Sequence, residues 1–132
     1  MVSPRMVYIS DSTEAGTIYS KKEVSEISEF CKKNSLYLFL DGARLGSALT
    51  SSYNDLKFQD LPKLLDVFYI GGTKNGALFG EAIVIVNPKL KSNFRFHIKQ
   101  KGGLLAKGRI LGIQFQALFT DNLYFDIAAK AN

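Results

Sequence analysis

Two groups in this 132-residue chain could do chemistry together: the amine of Lys74 and the carboxylate of Asp41. Lys74 stands in "FYIGGTKNGALFG" (68–80), among Gly71, Gly72, Gly76 and Gly80 and with no other charge in the stretch. Asp41 directly follows the apolar run "LYLFL" (36–40). Lysine is usually a solvated surface residue. Withdrawn from water into a turn between two strand-like runs, its amine loses proton affinity and becomes a nucleophile toward a carbonyl carbon. A carboxylate opposite it can hold a protonated ring nitrogen. The glycines would let a bulky ligand come close to the backbone. The spacing leaves a second assignment open, in which Asp41 caps a helix beginning near Arg44 and Lys74 is a solvated turn residue.

The elements that must position this pair follow from local pattern. "MVYIS" (6–10) is short, apolar and strand-prone. "DSTEAGT" (11–17) is a turn. Ser20 and Glu23 form an S-x-x-E capping box, and Val24, Ile27, Phe30 and Cys31 follow at helical spacing up to Lys32, Lys33 and Asn34. "LYLFL" shows no polar alternation, which predicts a strand buried on both faces. "GARLGSAL" begins a short helix, "TSSYND" (50–55) is a loop, and "LKFQDLPKLL" is a short helix containing or interrupted by Pro62. "DVFYI" (66–70) and "EAIVIV" (81–86) are strands. Only ten residues (71–80) separate them, too few for a helical crossover, so the two are expected to pair antiparallel. Asn87-Pro88 starts irregular helix through "KLKSNFRFHIKQ", Gly102 and Gly103 break it, and a strong helix is predicted from about Leu104 to Phe119. A last helix opens in "TDNLYFDIAAKAN".

The order β-α-β-(α)-β-β-α-α predicts an α/β fold with a mostly parallel sheet. Ligands of such sheets bind beyond the carboxyl ends of the strands. Asp41 lies at one such end and Lys74 four residues past another, with 33 residues between them in number, which suits one crossover unit. A lysine Schiff base combined with an aspartate on a pyridinium nitrogen is the arrangement that binds pyridoxal phosphate.

Composition excludes several classes. With 46% hydrophobic and 22% charged residues the chain is neither disordered nor low in complexity, and no apolar run reaches membrane-spanning length. One cysteine, Cys31, permits no internal disulfide and points to an intracellular, reducing compartment. Cys31 reads as core. His97, the only histidine, has no neighbouring ligand cluster, so no metal is expected. Net charge is +5, with Lys99, Lys101, Lys107 and Arg109 close together. This allows a reading of another class, a basic module for anions or nucleic acid. "GGTKNG" lacks the Gly-Lys-Ser/Thr order of a nucleotide-phosphate loop. Tyr37, Phe39, Phe68 and Tyr69 read as strand core, while Tyr124 and Phe125 could face a partner subunit or a further domain.

"FLDGARLGSAL", "FYIGGTKNGALFGEAIV" and "KQKGGLLAKGRILGIQFQALF" together resemble the threonine aldolase family, in the low-specificity branch of the β-eliminating lyases. The resemblance runs over essentially the whole chain. It implies the large domain of a pyridoxal-phosphate enzyme of aspartate-aminotransferase fold type. Lys74 would carry the cofactor as a Schiff base and Asp41 would pair with its ring nitrogen. Arg44 would orient cofactor or substrate, and Thr73 would lie near the phosphate. Lys107 or Arg109 would supply positive charge toward that phosphate, and Thr13 and Glu14 would belong to a polar active-site loop. The implied reaction is retro-aldol cleavage of threonine or allo-threonine to glycine and acetaldehyde. Another β-eliminating lyase or an aminotransferase is the alternative on the same scaffold. The resemblance also implies a cytoplasmic homo-oligomer, dimer or tetramer, that binds neither membrane nor nucleic acid. It makes residues 1–132 a fragment, without the upstream phosphate loop and the C-terminal small domain, that is inactive alone.

Overall fold

The computed structural model describes residues 2–132. Strand β1 (Met6–Ser10) leads through a turn to helix α1 (Lys21–Lys33), then β2 (Tyr37–Asp41) and the short helix α2 (Leu45–Thr50). A 3-10 turn (Phe58–Asp60) runs into α3 (Leu61–Leu64), followed by β3 (Val67–Gly71) and β4 (Glu81–Ile85). A second 3-10 turn (Pro88–Leu90) precedes α4 (Phe94–Gln100), α5 (Arg109–Phe119) and α6 (Leu123–Ala131). The strands form one sheet in the order β1-β2-β3-β4. β1 and β2 are parallel, as are β2 and β3, and β4 returns antiparallel to β3 with Val67 opposite Ile85 and Gly71 opposite Glu81. No helix among the described residues is long and apolar enough to cross a membrane.

Local chemistry explains the starts and stops. The Ser20 hydroxyl accepts from the Glu23 N–H while the Glu23 carboxylate accepts from the Ser20 N–H, so the capping box forms as expected. Such a cap contributes about 1 kcal/mol. Two helix predictions need correction. The helix expected from Leu104 begins only at Arg109, because 105–108 close a turn of their own, with the Gly108 N–H donating to the Leu105 carbonyl. The helix expected to start at Pro88 stops after one 3-10 turn and resumes at Phe94, past Asn93 in the left-handed region (φ 57°).

Alternation along the strands divides the sheet into two faces. Leu38, Leu40, Phe68 and Ile70 point to one and are buried with Val24 and Cys31 of α1, Leu61, Leu65, Leu118 and Tyr124. The opposite face carries Tyr8, Phe39 and Tyr69, and Tyr8 is about half exposed. "LYLFL" is therefore fully buried on one face only. Its missing polar alternation reflects aromatic contact on the other: Tyr8 stacks on Phe39 at 5.2 Å between ring centroids, and Phe39 lies 6.1 Å from Tyr69. Phe39 and Tyr69 are thus not core residues, whereas Phe68 is.

Candidate active site

β2 and β3 are parallel, so Asp41 and the turn that holds Lys74 emerge at the same edge of the sheet. Two glycines make that edge tight. The Gly71 N–H donates to the Gly42 carbonyl at 2.8 Å. A Cβ on Gly42 would lie 1.9 Å from the Tyr69 carbonyl oxygen, and one on Gly71 would lie 2.3 Å from that of Ala43. Any side chain there would force the two strand ends apart. Further along the turn, Gly72 and Gly80 face Phe115 and Leu111 of α5. The space beside these glycines is thus filled by the chain itself and not kept open for a ligand.

The Lys74 turn is clamped from below. Asn75 is buried and donates its side-chain amide to the Tyr124 carbonyl at 2.8 Å, and its N–H donates to the Gly72 carbonyl at 2.9 Å. The Tyr124 hydroxyl donates to the Gly71 carbonyl at 3.0 Å. Tyr124 is fully buried against this turn. It therefore does not face outward, as its place in the sequence suggested. The Glu81 carboxylate accepts from the Gly72 N–H at 2.7 Å, and Gln114 bridges the Leu78 N–H and the Phe79 carbonyl. This clamp leaves Thr73 and Lys74 exposed at the apex. The amine expected to be buried is open to solvent.

Asp41 is the electrostatic counterpart. One carboxylate oxygen accepts from the Tyr8 hydroxyl and the other from the Ala43 N–H at 3.0 Å. Burial pushes the Asp41 carboxyl up. The Tyr69 and Tyr8 hydroxyls, the Ala43 N–H and the positive charge of Lys74 outweigh burial and hold it below the usual carboxylate range. Lys74 is thus close enough to act on Asp41. The Tyr69 hydroxyl approaches Asp41 without reaching the hydrogen-bond geometry of Tyr8 and Ala43.

The other expected residues lie as follows. Arg44 follows Asp41 on the same edge and meets the Glu14 carboxylate at 3.7 Å across an exposed pair, a geometry that contributes little stability. Thr13 closes its own loop, with its hydroxyl 2.6 Å from that of Thr17. Lys107 and Arg109 are exposed at the start of α5, and neither is in an ion pair among the described residues. His97 is exposed, Cys31 is buried, and no group of three or more His, Cys, Asp or Glu among the described residues could hold a metal.

Sequence reasoning missed Tyr8, Tyr69, Asn75 and Tyr124, and it missed Asp11. Asp11 follows β1, is fully buried, and has no hydrogen-bond partner on either carboxylate oxygen. Burial pushes its carboxyl up to about 6, offset only weakly by the nearby Tyr19 N–H. The folded chain therefore holds this proton more tightly than the unfolded chain. Its contribution to stability is complete below about pH 4 and is lost as pH rises through about 6. Asp11→Asn is expected to be about 2 kcal/mol more stable than the wild type at pH 7.5, with the gap closing by pH 4. Denaturant midpoints of both proteins across that range check this, and parallel curves would refute it.

A family model described as "Beta-eliminating lyase" matches residues 2–122. The chain belongs to that family. It is 39% identical over 132 residues to a low specificity L-threonine aldolase of a Pseudomonas species, covering 98% of this chain and 37% of the relative. A second such aldolase, from Pseudomonas aeruginosa, is 37% identical with the same coverage. A solved structure of Leishmania major threonine aldolase superposes with a TM-score of 0.98 at 56% identity, over 99% of this chain and 38% of that one. A β-eliminating lyase/threonine aldolase homologue from Exiguobacterium, at 20% identity and a TM-score of 0.62, shares the fold. The architecture is thus the α/β fold of the pyridoxal-phosphate enzymes of aspartate-aminotransferase type, with a mostly parallel sheet. The chain spans 37% of the length of the curated aldolases it matches.

Proposed function

We propose that residues 1–132 are part of the cofactor-binding large domain of a pyridoxal-phosphate-dependent lyase that cleaves a β-hydroxy amino acid, threonine or allo-threonine, to glycine and an aldehyde. The observation that carries this reading is the pairing of the Asp-Gly-Ala-Arg carboxylate with the Gly-Gly-Thr-Lys amine on one sheet edge, where the charge of Lys74 acts on Asp41. Similarity to the aldolases of Pseudomonas and Leishmania major supports the choice of reaction.

The residues present fit the cofactor. Asp41 accepts from Tyr8 and Ala43, with Tyr69 near, so at least one of its roughly four acceptor positions remains for a ring N–H. Lys74 offers an exposed amine for the covalent link, and the Thr73 hydroxyl beside it has no partner among the described residues. Thr73 and one of Lys107 or Arg109 would hold the phosphate, and Arg44 would orient cofactor or substrate. When bound, the cofactor supplies an electron sink for the charge left at the substrate α-carbon as the Cα–Cβ bond breaks. Asp41, held as a carboxylate, would keep the ring nitrogen protonated for that purpose. Lys74 would hold the cofactor through its Nζ, and that nitrogen would carry the proton exchanged there. The reading includes a cytoplasmic homo-oligomer, with the remaining cofactor contacts supplied by segments outside these residues.

The family description favours one second reading, β-elimination. Product analysis of the intact protein given L-threonine and L-serine separates the two. Retro-aldol cleavage yields glycine and an aldehyde, whereas elimination yields ammonia and a keto acid. Ammonia and keto acid in place of glycine would overturn the aldolase assignment.

A further inference from the structure

Register places two phenols on either side of Asp41. Phe39 is the partner of Tyr8 on β1 and of Val67 on β3. Asp41 lies two residues past Phe39, and Tyr69 two past Val67, so with a side-chain period of two all of them share one face of the sheet. Tyr8 reaches Asp41 from one side, and its ring is fixed by stacking on Phe39. Tyr69 approaches it from the neighbouring strand without a formed hydrogen bond. Both phenols stay protonated, and therefore remain donors. The hydrogen bond to Asp41 raises the Tyr8 hydroxyl, with burial adding to it. Burial raises that of Tyr69, with the neighbouring Asp41 carboxylate adding to it. The remaining charged group facing Asp41 is Lys74, while Glu14 and Glu81 act on Tyr8 and Tyr69 respectively.

We propose that Tyr8 and Tyr69 are positioning residues that fix the Asp41 carboxylate between β1 and β3 and leave it open to one further N–H donor. With the Tyr8 hydroxyl on one oxygen, the Ala43 N–H on the other and Tyr69 close by, the carboxylate does not rotate freely about its Cβ–Cγ bond. The acceptor position that remains would take the N–H of a protonated heteroaromatic ring. The inference deepens the cofactor reading and rests on it for the identity of that ring. The two phenols act only through Asp41 and are not catalytic residues.

The test is the double variant Tyr8→Phe/Tyr69→Phe in the intact protein, which keeps both rings and removes both hydroxyls. In cofactor-free protein with 13C-labelled aspartate carboxyls, the resonance assigned to Asp41 by its loss in Asp41→Asn should titrate about one pH unit higher than in the wild type. In the loaded enzyme kcat should fall about tenfold with KM nearly unchanged, and the pH at which activity is lost on the acid side should rise with the carboxyl. Tyr37→Phe, a tyrosine at the other end of the same face, should leave the Asp41 titration where it is. An unmoved titration in the double variant overturns the proposal. If the titration moves but the wild-type protein takes up no pyridoxal phosphate, the positioning of Asp41 stands and the cofactor reading fails.

Discussion

Lys74→Ala in the intact protein is expected to abolish the saturable visible band that forms with pyridoxal phosphate and to lower turnover by roughly 10⁴-fold or more. The size follows from what the turn does. Asn75, Tyr124 and Glu81 fix the backbone on both sides of Lys74, while Thr73 and Lys74 stay at an exposed apex. An amine held in this way reacts with a bound carbonyl at an effective molarity of roughly 10⁵ M or above. Free amine in solution cannot replace it at attainable concentrations. The other lysines should give only the weak, non-saturating absorbance of unanchored imines. Residues 1–132 alone should behave almost as the variant does, because Thr73 and the exposed Lys107 or Arg109 would supply only part of the phosphate anchoring. Tight stoichiometric uptake by the 132-residue chain would show that its own residues suffice. A saturable band that survives Lys74→Ala would remove Lys74 from the covalent role.

Where sequence reasoning succeeded, the signal was local or rested on a short connection. The Ser20–Glu23 box needs only one helical turn, so its spacing is its structure. The ten residues between "DVFYI" and "EAIVIV" leave no room for a crossover, and β4 does pair antiparallel to β3. Parallel order then puts Asp41 and Lys74 on one edge without knowledge of any contact. What escaped was register. Tyr8 lies 33 positions from Asp41, and nothing short of the β1–β2 pairing shows that they meet. Tyr69 adjoins the buried Phe68, and alternation alone does not say which of the two faces the core. Asn75 and Tyr124, 49 positions apart, could not be joined from sequence. The glycines illustrate a different failure. Their clustering was legible, but whether a ligand or the chain itself fills the space depends on Ala43, Phe115 and Leu111, none of them local to the glycine they meet. The late start of α5 belongs with these, since Leu104 and Leu105 continue a helical pattern yet remain partly exposed, with too little burial to draw them into the helix.

Asp41→Asn separates holding the cofactor from using it. Asparagine keeps the shape of the side chain: its Oδ1 can still accept from the Ala43 N–H, and its Nδ2 can donate to the Tyr8 oxygen in place of the bond that the carboxylate accepted. The covalent link through Lys74 and the phosphate contacts are untouched, so cofactor content should stay near that of the wild type. The negative charge is lost, however, and with it the reason for a ring nitrogen to keep its proton at neutral pH. Turnover should then fall by roughly 10²- to 10³-fold, the cost of removing one preorganised electrostatic partner from a developing charge. The same argument fixes the pH behaviour of the wild type. Because its neighbours hold the Asp41 carboxyl below the usual carboxylate range, it is ionised throughout the neutral and mildly acid range. The acid-side loss of activity that it governs should therefore lie below about pH 4. Asp41→Asn should lack that limb while retaining any alkaline one. Absorbance and kcat measured from pH 3 to 9 on both proteins check this. Turnover within a few-fold of the wild type, with cofactor fully bound, would show that the ring nitrogen is held by some other group and that Asp41 merely ties β1 to β3.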